Sequence, residues 1–445
     1  MKGRLRMWAP KGSVLLNSGW LVTNSIVGMM VSVVVVAFAS RYFGPEVMGQ
    51  LNYAVAFVSL FTAVGTLGLE SVVVKALGRE PLEEGAILGT ALLLRIVSGV
   101  ILTSIAGVTI ALLDRGDSTL TYLVLLMSIA MTLRAFEVMD YWVQANLCAS
   151  EFSRIRIIVM VLTAGLKIGL VLSRADIVLY AATYSLDVAL VGVASLILYF
   201  RIRSSRSRWR FEVRQAGSLL RDSRSLVAAG LMISIYNRID QVMLGGMVQN
   251  RGELGLYSAA VTISEMWYFV PMAIIVSLRP GILAKKKSGG TTYVTSVQTL
   301  YNLITVVTVV FCLGIALCSG PIIFIVYGSV FAGAAPLLAV VVWSGIFAML
   351  GVGRSTWLVA EGLQRYSMFY TLLACVINIA LNLFLIPRMG AMGAAIATVI
   401  AQMVNVIALS VFPKTRISTR MMIRSFHPAS VAEVFRMVSS LRSVV

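Results

Sequence analysis

Apolar stretches recur along the whole chain, each separated from the next by a short polar or basic interval. A helix needs about 20 apolar residues to cross hydrocarbon. Twelve stretches approach or exceed that length, at roughly 14–38, 49–74, 85–111, 118–147, 154–173, 177–200, 226–249, 254–278, 293–319, 330–352, 367–387 and 391–412. The run from Pro321 to Ala335, containing "PIIFIVYG", reads two ways: as an extension of the ninth span or as a segment that folds back. The pattern predicts an all-α integral membrane protein of about twelve transmembrane helices.

Composition agrees. The 445 residues are 59% hydrophobic and 13% charged, with mean hydropathy +0.90, whereas soluble proteins carry about a quarter charged residues. Cys148, Cys312, Cys318 and Cys375 sit in apolar runs without a CxxC spacing and read as small buried hydrophobes. The only histidine is His427, in a basic tail, which excludes an intramembrane histidine metal site or Ser/His/Asp triad. No metal and no cofactor is expected. The first apolar segment is too long for a signal peptide and lacks a small-residue cleavage site, so it is expected to be retained.

The basic residues fix a topology. With the N-terminus inside, 28 of the 37 Lys and Arg fall in inside segments and five, Arg41, Arg115, Arg174, Arg251 and Arg388, in outside loops. Short loops with this bias predict both termini in the cytoplasm of a multi-pass cell-membrane protein and an even number of spans. The same placement accounts for the net charge of +18 without a nucleic-acid partner.

"RIRSSRSRWRFEVRQ" at 201–215 divides the chain into two sets of six spans. The expected organisation is a six-helix lobe at 1–200, a basic cytoplasmic linker at 201–225, a second six-helix lobe at 226–413 and a basic cytoplasmic tail at 414–445. The halves resemble each other. "GPEVMGQLNYAVA" (44–56) is similar to "RGELGLYSAAV" (251–261). At an offset of 215, "WVQANLCASEFSR" (142–154) meets "WLVAEGLQRYSMF" (357–369), and "LKIGLVL" (166–172) meets "LNLFLIP" (381–387). Six plus six in equal orientation implies a parallel repeat about an axis along the membrane normal, and transporters commonly bind substrate between such halves.

Charges interrupt the spans. Arg95, Arg134, Lys167 and Arg238 lie within them, as do Glu70, Glu137, Asp140, Asp187, Asp240 and Glu265. Each costs about 2.5–3.5 kcal/mol at the bilayer centre on insertion scales, so they must face protein or water. At about 1.5 Å per residue, Arg95, Lys167 and Arg238 fall near the midplane. Several helices carry polar stripes: Ser234, Asn237, Arg238 and Gln241; Arg134, Glu137, Tyr141 and Gln144; Asn52, Ser59, Thr62, Thr66 and Glu70; Asn17, Trp20 and Asn24. Two readings stand for each. The stripes line a hydrated cavity, or they are helix-packing contacts. Arg134 either neutralises Glu137 at i, i+3 or serves a ligand. Arg238 either pairs with Asp240 or serves a ligand. Glu70 sits near the inner end, in a cavity or at the interface.

"ASRYFGPEVMGQLNYAVAFVSLFTAVGTLGLESVVVKALG" (39–78), "YNRIDQVMLGG" (236–246), "GLYSAA" (255–260) and "LNLFLIPRMGAMGAAIATVIAQ" (381–402) together resemble polysaccharide-transport flippases, the O-antigen (Wzx-like) branch of the multidrug/oligosaccharidyl-lipid/polysaccharide exporter superfamily. The likeness runs from about residue 10 to 412. It implies two six-helix lobes in a V and alternating access. It also implies, for surface polysaccharide synthesis, a polyprenyl-(pyro)phosphate-linked oligosaccharide turned from the inner to the outer leaflet. For such an anionic, hydroxylated head the candidate ligands are Arg238, Arg95, Lys167, Arg134, Asn237, Gln241, Asn24 and Trp20, with Trp267 as a second stacking platform. Arginine suits phosphate through its planar fork. Asp240, Glu265 and Asp140 are the candidates for ion coupling. The implied partners are the lipid-linked substrate, membrane lipids and the glycosyltransferases or polymerase of one pathway, around a monomeric transporter. The rivals are a multidrug cation antiporter of the same superfamily, which midplane bases disfavour, and a membrane glycan polymerase or ligase, which short external loops without clustered acids disfavour.

Overall fold

Glycine, proline and polar residues punctuate the apolar pattern into helices in the computed structural model, which describes residues 11–113, 118–146, 148–203, 207–288, 291–430 and 434. No strand occurs among them. Nine stretches of the described residues are long and apolar enough to span a bilayer. The expectation of twelve differs from this at three places. Expected spans 1 and 2 are joined in one Lys11–Gly65 helix, which kinks at Gly44 with φ 74° ahead of Pro45. The Val213–Met247 helix carries Arg238, Asp240 and a charged first half, which lower its hydropathy. Ala391–Ile407 is apolar but only 17 residues long. The uncertain segment after the ninth span does not extend it: Ser319–Tyr327 is a separate short helix, stopped by Gly328 at φ 87°.

The chain forms two compact units. The first holds the residues up to Phe43 with Tyr53–Ser234, the second Gly44–Asn52 with Ile235 onward. Gly44–Asn52 joins the second unit through glycine contacts. A Cβ on Gly49 would lie 1.9 Å from the Arg251 carbonyl oxygen, and one on Gly255 1.9 Å from that of Pro45, so only hydrogen fits at either site.

In the first unit the Glu84–Leu113 helix shows the sorting that builds the bundle. Leu88, Ala91, Arg95, Gly99, Ala106 and Ile110 are buried. Val97, Ile101, Ile105, Val108 and Leu112, on the opposite face, are exposed. A large apolar side chain gains nothing by leaving lipid, so small residues take the helix contacts. Gly99 lies against Thr132, where an added Cβ would be 2.6 Å from its Cα.

The segment expected as a linker is ordered over much of its length. Trp209 donates to the Tyr199 hydroxyl at 3.2 Å, Tyr199 donates to Glu84 at 2.7 Å, and the Glu212 amide donates to Thr90 at 3.0 Å. Gly85 and Gly89 let this strap lie close to the helix, and the next helix begins at Val213.

In the second unit, Ser344–Ala360, a tight turn and Arg365–Met389 succeed one another. Val138–Asn146 and Ala149–Leu172 succeed one another likewise in the first. Trp142 and Trp357, equivalent at the offset of 215, are both buried near the end of the earlier helix of each pair.

Candidate functional site

Three helices of the first unit bring a charged cluster together. Glu84–Leu113 supplies Arg95, which is 2% exposed. The Ser118–Leu133 helix tightens to a 3₁₀ turn over Arg134–Glu137 and resumes at Val138–Asn146, which carries Asp140, Tyr141 and Gln144. Ala149–Leu172 supplies Arg156. Arg95 donates to Glu137 Oε2 at 3.0 Å and to the Tyr141 hydroxyl at 2.6 Å. Arg134 donates to Glu137 Oε1 at 2.8 Å. Each oxygen of one carboxylate therefore receives a different guanidinium.

Arg156 pairs with Asp140, while its Nε is buried with no acceptor among the described residues. Three guanidiniums thus share two carboxylates, and Glu70 on the same wall adds a third acid. The cluster opens on a cavity of about 710 Å³, lined among others by Glu70, Lys75, Asp140, Tyr141, Gln144 and Arg156. Gln144 donates to Glu70 at 2.8 Å, so Glu70 belongs to this wall. A second cavity of about 260 Å³ reaches Arg134 and Asp187 and shares Glu137, Asp140 and Arg156 with the first.

Of the sequence candidates, Arg95, Arg134 and Asp140 meet here. Lys167 stands apart, its ammonium 4.2 Å from the Tyr184 ring centroid. Asp187, on the same helix as Tyr184, accepts from Thr163 at 2.7 Å. The side chains of Trp20 and Asn24 lie outside the described residues. Ser59, Thr62 and Thr66 spend their hydroxyl protons on Ala56, Val58 and Ala63 carbonyls of their own helix. That bond saves a hydroxyl in lipid from going unpaired without tying two helices together.

A separate cluster stands in the second unit. Asp240 is buried. Its Oδ1 takes the Gln241 amide at 2.8 Å, and its Oδ2 takes the hydroxyls of Tyr257 and, at 3.3 Å, Thr398. Asp240 thus has partners other than Arg238, and no ion pair joins those two among the described residues. Arg238 is half-buried and among the described residues hydrogen-bonds only the Gln241 side-chain oxygen, at 3.5 Å, the outer limit of a hydrogen bond. Asn237 and Glu265 are exposed. Trp267 is no free platform: it is 4% exposed and stacked on Phe311 at 5.3 Å with the rings 5° from parallel.

Two arginines escaped the sequence reading. Arg156 and Arg354 were both assigned to cytoplasmic segments. Arg354 instead lies in Ser344–Ala360, 3% exposed, donating to the Asn405 carbonyl at 2.6 Å and side chain at 3.2 Å, with the Tyr370 ring centroid 5.3 Å away. Without these two the inside segments hold 26 bases, not 28. The bias survives the correction. Both residues stand within a turn or two of a helix end, where a charge reads as a boundary.

A model of the polysaccharide biosynthesis protein family matches residues 14–284, well over half of the chain. The chain belongs to that family. No curated protein sequence gives a match. Among solved structures, the lipid II flippase MurJ in an inward closed conformation superposes with TM-score 0.69 at 16% identity, covering 92% of this chain and 90% of that one. An inward-facing multidrug resistance MATE family transporter of the MOP superfamily gives 0.67 at 16%, covering 90% and 98%. A MOP superfamily transporter from Pyrococcus furiosus gives 0.59 at 16%, covering 92% and 99%. At such identities the likeness is one of fold. This polysaccharide biosynthesis protein has the all-helical fold of MOP-superfamily transporters, as the sequence resemblance implied.

Proposed function

We propose that the protein is a flippase that carries a polyprenyl-(pyro)phosphate-linked oligosaccharide from the inner to the outer leaflet of the cell membrane by alternating access. The observation that carries this reading is a cavity in the first unit whose wall sets Lys75 and Arg156 among Glu70, Glu137 and Asp140, with Arg95 and Arg134 bound to Glu137 beside it. A (pyro)phosphate cannot enter hydrocarbon unaided, and fixed guanidiniums replace its water with charge-assisted, bidentate hydrogen bonds. Gln144 and Tyr141 on the same wall suit sugar hydroxyls. The solved neighbours include both multidrug exporters and a lipid II flippase. The match to the polysaccharide biosynthesis family favours a lipid-linked glycan over a cationic drug.

Within this reading Arg238, Gln241 and Asn237 are the second unit's substrate ligands, and Lys167, Trp20 and Asn24 add to the first unit's. Asp240, Glu265 and Asp140 couple turnover to an ion gradient. The transporter acts as a monomer, fed by the glycosyltransferases of its pathway.

The test is turnover in proteoliposomes. A fluorescent lipid-linked oligosaccharide should become accessible to an enzyme acting on the opposite leaflet only when the protein is present, and a cationic dye should not be moved. Dye transport without glycan turnover would overturn the reading in favour of a drug exporter. A second prediction tests the topology, which rests on 26 inside bases against five outside. Reporter fusions at Arg210 and after the C-terminus should read cytoplasmic, and a fusion at Gly252 external. An external signal at Arg210 would reverse the direction of transport proposed here.

A further inference from the structure

After the last apolar helix the chain turns at Phe412 and forms a nine-residue helix, Arg416–Arg424. One face is locked onto the second unit. Ser418 meets the Tyr301 hydroxyl at 2.9 Å, Ser425 meets Thr305 at 2.6 Å, Thr415 meets Tyr370 at 2.7 Å, and Gln298 donates to the Met421 carbonyl at 3.0 Å. A nine-residue helix is unstable alone, so these bonds hold it as a fixed platform. The outward face repeats Arg416, Arg420 and Arg424 at intervals of four. At 100° per residue the three arginines cover about 80° of helix surface, with Ile417 just beyond one edge and Ile423 just beyond the other. Ile417 is 57% exposed and Ile423 59%, and Phe426 beyond them 45%.

A purely water-facing helix would not present isoleucines beside its arginines. The place of the helix explains them. Phe412, which leads into it, packs on Tyr366, Phe369 and Tyr370 at ring-centroid distances of 5.1, 5.0 and 6.1 Å. These three lie in the opening turns of Arg365–Met389. An aromatic cluster at the end of a membrane span marks the lipid–water boundary, and the arginine ridge continues from it.

We propose that the outward face of Arg416–Arg424 docks on the anionic phospholipid headgroups of the adjoining leaflet. The guanidiniums take phosphates, and Ile417 and Ile423 enter the boundary of the acyl region. An acidic protein would satisfy the arginines but not the isoleucines at both edges of the ridge, nor their continuity with the aromatic boundary.

The full-length protein tests this in nanodiscs. Ile423→Cys, in a background with the four native cysteines replaced, carries a fluorophore that brominated lipids quench. Quenching by brominated phosphatidylglycerol should exceed that by brominated phosphatidylcholine severalfold. Arg420→Gln with Arg424→Gln, neither arginine making a side-chain bond among the described residues, should bring the preference close to one, since each base contributes about fivefold. The corresponding Lys pair should keep most of it. If the Gln pair misfolds, the salt series of the parent decides, because the preference must fall as salt rises. Equal quenching by both lipids, no quenching by either, a Gln pair that behaves like the parent, or a preference indifferent to salt would each overturn the proposal.

Discussion

Glu137→Ala is expected to lower the thermal stability of the purified protein more than the loss of any other single acid in the first unit. Glu137 holds Arg95 and Arg134 at once, and Arg95 is 2% exposed. Removing one partner of a buried pair costs about 3–5 kcal/mol, because the other charge stays behind in a medium that cannot solvate it. Here the lower end applies, since the Glu137 side chain is 32% exposed and Arg95 keeps Tyr141. Arg134, at 42% exposed, can turn to water, so Arg134→Ala should cost no more than about 1 kcal/mol. Arg95→Met combined with Glu137→Gln should recover most of the lost stability, because no lone charge is left in the interior. Melting curves in detergent of the two single variants and the double variant check the prediction. A Glu137→Ala protein that melts with the parent would show that Glu137 is not what holds Arg95.

The parts of this site that were legible in the sequence, and those that were not, divide by physical signal. Length and hydropathy alone locate apolar segments, and the paired tryptophans at the 215 offset locate equivalent helix ends. Arg134, Glu137, Tyr141 and Gln144 were legible as one stripe because i, i+3 and i+4 neighbours share a helix face. The 3₁₀ turn at Arg134–Glu137 was not legible. It contains neither glycine nor proline, and an i, i+3 spacing suits both helix types. The pairing of Glu137 with Arg95 joins residues 42 apart and depends on helix packing, which periodicity does not encode. Arg156 and Arg354 were misplaced for one reason: a charge near the end of an apolar run marks the membrane edge when exposed and a buried pair or cage when packed, and the run looks the same in both cases. The Arg238–Asp240 pairing left open by spacing is answered by Tyr257 and Thr398, whose helices the local sequence does not bring near.

Arg238→Ala is expected to abolish transport of a lipid-linked oligosaccharide while leaving expression, insertion and melting temperature close to those of the parent. The expectation follows from the asymmetry between two neighbours on one helix. Asp240 is buried and fully engaged by Tyr257, Thr398 and the Gln241 amide, whereas Arg238 is half-buried and among the described residues hydrogen-bonds only the Gln241 side chain, at 3.5 Å. Removing this guanidinium takes a cation from the neighbourhood of Asp240 and Glu265 but breaks no short hydrogen bond or ion pair among the described residues. If it binds substrate phosphate, it contributes about 1.5–3 kcal/mol, which is roughly ten- to over a hundredfold in affinity. Arg238→Lys should retain part of the activity, since charge remains but the bidentate fork is lost. Arg238→Glu should be worse than Ala, because it sets a like charge against the phosphate. Asp240→Asn should instead act on stability and on any dependence of transport on an ion gradient. The double change of Arg238→Asn with Asp240→Asn separates the alternatives. If Arg238 served mainly to balance Asp240, removing both would restore folding and transport together. A double variant that folds but moves no glycan leaves Arg238 as a ligand, and one that transports like the parent removes it from the site.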